Sequence, residues 1–288
     1  MNCRIVVNAY IKNASQIMQA KRIAEELERA GAHCEIVKNI DLAYIENGRA
    51  VGSDFGVCVF LDKDRAAARL LEKCGVRLIN SAQAIEVCDD KLLTHISLSD
   101  MGIPMPDSVY APLCYYPDAK VNREFLETVA KRLKFPLVAK KCYGSLGAGV
   151  YLIRNSLELA EFEERNKLCA HFYQKFIGRG GEDIRAIVIG GKFVCAMKRI
   201  NKNDFRSNIE LGGSGERLDA DENLKKLCER TAAILNLDYC GIDVLTDENG
   251  NRYICEVNSN AFFAEAERVC GVNIAKKFAE LIIANKNA

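Results

Sequence analysis

A lysine and a run of glycines stand together in the stretch Lys140-Lys141-Cys142-Tyr143-Gly144-Ser145-Leu146-Gly147-Ala148-Gly149-Val150. The apolar residues before Lys140 predict a strand, which would deliver that lysine into a glycine-rich loop. Glycines let backbone N–H groups approach phosphate oxygens closely, and an ammonium group neutralises their charge. The spacing GxxGxG matches neither the dinucleotide fingerprint nor a P-loop. The stretch therefore predicts a phosphate-binding loop, with a flexible hairpin turn as the alternative.

Oxygen-bearing side chains occur on two predicted strands near the C-terminus. Alternation places Glu256 and Asn258 on one face of their strand, and in a hairpin pair Asp243 can lie across from them. Such hard oxygen ligands suit Mg²⁺ bound together with nucleotide phosphates, with Mn²⁺ as the alternative ion. Polar residues facing water would show the same alternation. The apolar neighbours favour the metal site, because a shared cation removes most of the cost of burying two carboxylates.

Three cationic residues could face a bound anion. Lys91 opens a predicted helix, where it gains nothing from the helix dipole, so it serves an external anion or is a solvated surface lysine. Arg199 lies near the end of a predicted strand, and Arg206 follows soon after it. Guanidinium groups bind a transferred phosphate or a carboxylate in bidentate geometry, although solvated surface arginines fit the sequence equally well.

The elements that must position these residues change type along the chain. Strands alternate with helices over residues 1–84, which predicts a parallel α/β domain. Residues 85–172, with a helix over residues 89–100 and a strand over residues 136–140, predict a small mixed subdomain that carries the glycine-rich loop. Residues 173–288 predict an α+β subdomain of antiparallel strands and helices, with a hairpin turn at Gly190-Gly191.

Composition narrows the class of protein. The 288 residues carry forty Lys and Arg against thirty-nine Asp and Glu, and this net charge of +1 excludes a bulk polycation for nucleic acid. The closest two of the thirteen cysteines, Cys228 and Cys240, are twelve residues apart, so we expect reduced and mostly buried thiols. The start reads as a strand and not as a signal peptide, and every apolar run is shorter than about eighteen residues. We therefore predict a cytoplasmic protein with no membrane or nucleic-acid partner.

Eight segments, in their order along residues 80–285, resemble the ATP-grasp superfamily and within it the RimK-type α-L-glutamate ligases. Two of them, Asp204-Phe205-Arg206-Ser207-Asn208 and Glu256-Val257-Asn258-Ser259-Asn260, point to the RimK-like branch. The remaining six are Asp90-Lys91, residues 136–140, residues 144–150, residues 174–177, residues 183–185 and residues 241–243. The resemblance implies an N-terminal pre-ATP-grasp domain and two α+β subdomains that clamp ATP.

The resemblance also implies a role for each residue that matches a motif. Contacts to the nucleotide phosphates would come from Lys91, Lys140 and a closing loop with Gly144, Ser145, Gly147 and Gly149. The hinge beside the adenine would comprise Gln174, Lys175, Phe176 and Ile177, where Lys175 departs from the acidic residue often found in the family. Asp183 would hold the ribose hydroxyls, and magnesium would bind to Asp243, Glu256 and Asn258. The transferred phosphate and the acyl acceptor would face Arg199, Arg206 and Asn208, with Ser207 beside the nucleotide.

The implied activity is ATP-dependent formation of an amide bond. A substrate carboxylate would take the γ-phosphoryl group of ATP, and an amine would then displace phosphate from the acyl phosphate. L-glutamate or another amino acid would thereby be added to a protein tail or a small molecule. Two alternatives stay open on the sequence alone: a small-molecule kinase of the same fold, and a module that binds a nucleotide without turnover. Relatives of this type often form dimers or tetramers, which favours a homo-oligomer.

Overall fold

The computed structural model describes residues 3–52 and 55–284, so the two ends of the chain and residues 53–54 of the predicted N-terminal domain lie outside it. The first part contains β1 (Cys3–Val7), α1 (Ala14–Arg29), β2 (Cys34–Lys38), β3 (Ala43–Glu46), β4 (Arg49–Gly52), β5 (Val57–Leu61), α2 (Arg65–Lys73), β6 (Arg77–Ile79) and α3 (Ala82–Asp89). The central part contains α4 (Lys91–Leu98), β7 (Ser108–Tyr110), α5 (Arg123–Leu133), β8 (Leu137–Lys141), β9 (Val150–Ile153), α6 (Ser156–Asn166) and β10 (His171–Lys175). The last part contains β11 (Glu182–Ile189), β12 (Lys192–Ile200), β13 (Ser214–Leu218), α7 (Glu222–Ile234), β14 (Tyr239–Thr246), β15 (Arg252–Asn258), α8 (Ala264–Cys270) and α9 (Ile274–Ala284).

The N-terminal sheet is parallel, in the order β2-β1-β5-β6, as the alternation of strands and helices predicts. Its central strands, β1 and β5, are largely apolar on both faces because helices cover both. Ile5 and Val59 pack in the core that includes α1, whereas Val6 and Phe60 pack in the core that includes α2. The hairpin formed by β3 and β4 stands beside this sheet and was not predicted from the sequence.

The central sheet is antiparallel, in the order β7-β10-β8-β9. Alternation divides its residues between two faces. Tyr173 and Ala139 point towards α5 and α6 and form a core with them. Lys140 and Gln174 therefore belong to the opposite face, which turns towards the last part of the chain.

The C-terminal sheet has the order β13-β12-β11-β14-β15 and is antiparallel throughout. One face packs on α7 through residues such as Ala186 and Ile242. The other face changes character along the strands: Ile187 and Tyr239 pack in the core that includes α9 and α1, while charged residues occupy the remainder. Helices thus cover all of this sheet except one charged area, which is where a site can form.

The predicted helix over residues 89–100 is present as α4 (Lys91–Leu98), whereas α3, which ends at Asp89, was not predicted; the two helices meet at Asp90. The Asp90 carboxylate accepts hydrogen bonds from the backbone N–H groups of Leu92 and Leu93, at 2.9 and 3.0 Å, and so caps α4. The backbone N–H of Lys91 donates to the carbonyl of Cys142 at 3.0 Å. The break therefore ties the start of α4 to the end of β8, next to the glycine-rich loop.

The state of the cysteines and the character of the helices bear on two further predictions. All thirteen cysteines are free thiols and nine of them are buried, which agrees with their predicted role as small apolar residues. None of the helices within residues 3–52 and 55–284 has the length and apolar character needed to cross a membrane. The proposed domain boundaries at residues 84/85 and 172/173 fall inside α3 and β10, so the division into domains stays a prediction.

Candidate active site

Charged side chains form a row across the C-terminal sheet. The register places Arg185 opposite Asp243, and Asp243 opposite Glu256; on the next step along the strands, Asp183 lies opposite Arg199. Directly opposed residues point to the same face of a sheet, so these five side chains share the area that the helices leave uncovered. The predicted pairing of Asp243 with the Glu256 strand is confirmed.

Two arginines and two aspartates of this row form one connected network. Arg199 donates to both carboxylate oxygens of Asp183, at 2.7 and 2.5 Å, and its Nη2 lies 2.9 Å from Asp243 Oδ2. Arg185 also binds Asp243 through two hydrogen bonds, one of them from Nη2 at 2.9 Å and the other from Nε. Burial opposes ionisation of Asp243, but the two guanidinium groups outweigh it and hold its pKa well below the usual range. The four charges balance, which allows them to be buried together.

Two cavities meet at this network. The larger, of about 760 Å³, lies between the C-terminal sheet and the N-terminal domain. The smaller, of about 90 Å³, lies between the C-terminal and central sheets. Four side chains line both cavities: Arg199, Asn208, Asp243 and Glu256. These four side chains form the shared wall of the two cavities, and it carries both positive and negative charges. Molecules bound in the two cavities can therefore contact each other at this wall.

The smaller cavity gathers most of the residues predicted to bind a nucleotide. Those from the central part and the hinge are Lys140, Gly147, Gln174, Lys175, Phe176 and Ile177. Those from the C-terminal sheet and the loop after β12 are Asp183, Arg199, Arg206, Ser207 and Asn208. These residues, from Lys140 to Asn208, thus face one cleft between two sheets, which is the placement that the phosphate-binding interpretation requires.

The glycine-rich loop is held over the cleft by cations from two sides. Lys91 Nζ donates to the carbonyl of Gly144 at 2.6 Å and lies 3.7 Å from Glu256 Oε1. Arg206 donates from Nη1 to the carbonyl of Gly147 at 2.9 Å. Gly147 has φ +77°, and an added Cβ would stand 3.0 Å from Asn208 Oδ1, so glycine is required there. The loop, Lys91 and Arg206 form one connected unit.

Two side chains attach the start of this loop to the N-terminal domain. The Arg65 guanidinium, at the first position of α2, lies 5.1 Å from the centre of the Tyr143 ring and donates to the Tyr143 hydroxyl at 3.4 Å. Such a cation–π contact is worth about 0.5–1 kcal/mol at an exposed site. The loop therefore touches all three parts of the chain.

Some predicted residues either do not line the smaller cavity or are already hydrogen-bonded within the protein. Ser145 and Asn258 line the larger cavity and not the smaller one. The carbonyl of Gly144 accepts a hydrogen bond from Lys91, and Gly149 packs against the side chain of Lys141. Asp183 does line the smaller cavity, but both of its carboxylate oxygens already accept hydrogen bonds from Arg199. Its role towards a ribose stays a prediction.

The oxygen atoms suited to magnesium come from Asp243, Glu256 and Asn258, which line one cavity. Within residues 3–52 and 55–284, no group of three or more His, Cys, Asp or Glu side chains is placed to hold a metal. Magnesium is commonly held by one or two carboxylates together with substrate phosphates and water, so two carboxylates and an amide beside a phosphate cleft fit this ion. Asp243 already shares its charge with two arginines, which makes Glu256 the freer ligand.

Several residues of the site were not predicted. Arg185 was missed, although it follows Asp183 by two positions and so had to share its face. His95 is buried beside the site, 3.1 Å from the carbonyl of Cys255, and burial, with help from nearby Lys140, lowers the pKa of His95 to about 4. Lys140 Nζ lies 3.3 Å from Cys255 Sγ. Neither contact could be read from the sequence, because both depend on how α4 and β8 pack on β15.

The N-terminal domain supplies a second group of unpredicted residues. Asn8 and Asp62 line the larger cavity together with residues at the start of α1, among them Ser15 and Gln16. Asn8 directly follows β1 and Asp62 directly follows β5. Ligands of α/β sheets bind at the carboxyl ends of parallel strands, so the positions of Asn8 and Asp62 directly after predicted strands could have marked them as site residues.

Comparison with known proteins agrees with this geometry. A family model described as the RimK-like ATP-grasp domain matches residues 88–282. Beta-citrylglutamate synthase B of Homo sapiens is 32% identical over 279 residues, which are 92% of this chain and 71% of that protein. Glutamate--LysW ligase ArgX of Sulfurisphaera tokodaii is 31% identical over 277 residues, which are 93% of this chain and 95% of that protein. Among solved structures, the ATP-grasp ligase PsnB complexed with minimal precursor, Mg and ADP has a TM-score of 0.72 at 17% identity, covering 99% of this chain and 98% of that one.

The fold and the clefts between its sheets are those of an ATP-dependent ligase of the ATP-grasp class. Within that class, the chain belongs to the RimK-like ATP-grasp family. The resemblance noted in the sequence is thereby confirmed, as are the ATP-grasp fold and the ligase class.

Proposed function

We propose that this ligase adds L-glutamate to a protein or small-molecule acceptor and that the reaction passes through an acyl phosphate. The observation that carries the proposal is the shared wall between the two cavities. A nucleotide in the smaller cavity would present its γ-phosphate at this wall, and the larger cavity would present a carboxylate and an amine at the same place. The glutamate ligases among the relatives support the choice of amino acid.

The chain's own residues supply positioning and charge. Lys140 would bind the phosphates from the central sheet, and Arg206 would hold the loop closed while its positive charge faces the transferred phosphoryl group. Arg199 stands at the shared wall, where it would stabilise charge that develops as the phosphoryl group moves to the carboxylate. The amine would then attack the acyl carbon, a C–N bond would form, and phosphate would leave. Closure of the glycine-rich loop would keep water from hydrolysing the acyl phosphate.

Magnesium fits the site through Glu256 and Asn258, with Asp243 beside them, and Mn²⁺ is the alternative ion. When bound, such an ion supplies Lewis-acid neutralisation of phosphate charge. Glu256 also lies 3.7 Å from Lys91 Nζ, so in this arrangement one carboxylate would link the ion to a lysine that positions the loop. We further propose a cytoplasmic homo-oligomer, which light scattering of the purified chain and localisation of a tagged copy would test.

The experiment is a screen for phosphate release from ATP with pairs of carboxylates and amino acids, with the products identified by mass spectrometry. The carboxylate is labelled with a heavy oxygen isotope, because an acyl phosphate transfers one carboxylate oxygen to the released phosphate. We expect labelled phosphate and an amide product that contains glutamate. Unlabelled phosphate, or a phosphorylated product without an amide, would show that the proposed chemistry is wrong.

Variants test the site residues in the same assay. Lys140→Ala and Glu256→Gln should each lower turnover by about 100-fold or more, since the first removes a positive charge beside the phosphates and the second removes the charge of a proposed magnesium ligand. Lys131→Ala and Glu248→Gln change the same residue types at exposed positions of the same parts of the chain and should retain turnover. Wild-type rates in either site variant would remove that residue from the mechanism.

A further inference from the structure

Three polar side chains directly follow three neighbouring strands of the N-terminal sheet. Asn8 follows β1, Asn39 follows β2 and Asp62 follows β5. Because the register pairs Val7 with the last residues of both β2 and β5, the three side chains lie next to one another at one edge. The strand order β2-β1-β5 also means that the chain reverses its direction of winding between β1 and β5. Ligands of open parallel sheets bind in the crevice at such a reversal.

The Asp62 carboxylate is held firmly in place by neutral donors. Its Oδ2 accepts hydrogen bonds from the side-chain amides of Asn8 and Asn39, at 3.0 and 2.8 Å, and its Oδ1 accepts one from the backbone N–H of Lys63 at 2.7 Å. Asp62 is only 8% exposed. In the part of the chain that the structure describes, no Lys, Arg or His nitrogen lies within 4.0 Å of this carboxylate, and Lys63 Nζ pairs instead with Asp89 at 3.0 Å.

A buried carboxylate with only neutral partners is costly and is stabilised by any cation that reaches it. Burial accordingly raises the pKa of Asp62 above its ordinary value. Asp62 and Asn8 line the larger cavity, whose wall also contains Arg199 and Glu256. A cation that satisfies Asp62 can therefore come from a substrate in that cavity.

The donor set at Asp62 suits an ammonium group better than a metal ion. The side-chain oxygens of Asn8 and Asn39 accept hydrogen bonds from the backbone N–H groups of Tyr10 and Ala9, at 2.8 and 2.7 Å. Both asparagines consequently turn their N–H groups, and not their oxygens, towards Asp62. Asp64 also accepts a hydrogen bond from Asn39, at 3.3 Å, but its other oxygen caps α2 and it does not line the cavity. The Asp62 carboxylate is thus the acceptor that faces the cavity here, which is enough for a hydrogen bond from an ammonium group and too few oxygen ligands for Mg²⁺ or Ca²⁺.

We propose that Asp62, oriented by Asn8 and Asn39, binds the primary ammonium group of the amino-acid substrate in the larger cavity. This inference rests on the proposed function, which brings an amino acid to that cavity. Asp62 acts here as a specificity residue: it distinguishes an amino acid from the same acid without its amino group.

The test compares L-glutamate with glutarate, which differs from it only by lack of the amino group. Binding of each to the full chain is measured by calorimetry in the presence of Mg²⁺ and a non-hydrolysable ATP analogue. We expect the wild type to bind glutamate at least tenfold more tightly than glutarate, and Asp62→Asn to bind the two acids equally. Asn8→Ala, which keeps the charge and removes one orienting amide, should reduce the preference in part. If another amino acid proves to be the substrate in the phosphate-release screen, that acid and its deaminated form replace the pair.

Asp41→Asn is the matched control, because Asp41 is an exposed aspartate of the same domain. Circular dichroism and the affinity for the ATP analogue establish that each variant is folded. An Asp62→Asn protein that still prefers glutamate, or that loses both acids to the same degree, overturns the subsite while turnover in the wild type upholds the ligase function. Absence of phosphate release with every amino acid refutes the ligase function and the subsite with it.

Discussion

Four buried charges, Asp183, Arg185, Arg199 and Asp243, form one network on the C-terminal sheet, and the effect of unbalancing them on stability can be measured. Asp243→Asn would remove the carboxylate partner of Arg185 and leave Arg199 paired with Asp183. Arg185→Met would leave two carboxylates with Arg199. Removal of one partner from a buried ion pair costs about 3–5 kcal/mol. The lower end applies here, because these groups also line cavities that water reaches. At about 2–4 °C per kcal/mol, each single variant should unfold roughly 6–12 °C below the wild type.

The double variant Arg185→Met/Asp243→Asn removes one charge of each sign and leaves the pair between Arg199 and Asp183 intact. Its loss of stability should therefore be smaller than the sum of the two single losses by about 2 kcal/mol or more. Urea unfolding of the wild type and the three variants, followed by circular dichroism, provides the four free energies. Arg217→Met, which breaks an exposed pair with Asp219, is the control and should change stability by less than about 1 kcal/mol. Single losses that simply add in the double variant would refute the charge-balance argument.

Three further outcomes follow from local geometry. Gly147→Ala forces a side chain into a left-handed backbone at a cost of about 1–2 kcal/mol and should weaken ATP binding about tenfold. Gly56→Ala is the control and should leave ATP binding unchanged, because its added Cβ meets nothing within 4 Å. Equal ATP affinities of the two variants would contradict the loop geometry. Burial lowers the pKa of His95 from 6.5 to about 4, so the unfolded chain binds this proton first and stability should fall as pH drops from 6.5 to 4. Unfolding free energies across that range should show a smaller slope in His95→Gln, and an unchanged slope would exclude His95 as the cause. Arg65→Ala removes the contact with the tyrosine of the glycine-rich loop and should raise the KM for ATP about two- to fivefold, while Arg69→Ala on the same helix should leave it unchanged.

The parts of the site that depend on local sequence could be predicted. Glu256 and Asn258 alternate on one strand, and a tight turn joins this strand to the strand of Asp243, so the pairing of the two strands could be predicted. The register that sets Asp243 opposite Glu256 could not, because it includes a bulge at Cys255. The glycine-rich loop follows Lys140 directly and could be placed for the same reason. Pairing of the two strands and the position of the loop needed no knowledge of how distant parts of the chain pack.

The parts that depend on packing could not be predicted in the same way. α3 was not predicted, and its separation from α4 at Asp90 is fixed by a hydrogen bond from the Lys91 N–H to the carbonyl of Cys142, which is distant in the sequence. The buried position of His95 exists only because α4 rests on β15. Asp62 marks the end of a strand in the sequence, but its isolation from lysines and arginines is a property of the folded chain.

Because the same four side chains face both cavities, the enzyme has little freedom to change its chemistry at their common wall. A substitution there that altered the choice of carboxylate would also disturb the use of ATP. Diversification towards new acceptors is therefore confined to other residues of the larger cavity, such as those at the start of α1. Among enzymes with this fold, we expect the sequence of the ATP-binding part to change slowly in evolution, while the first eighty residues vary with the substrate of each enzyme.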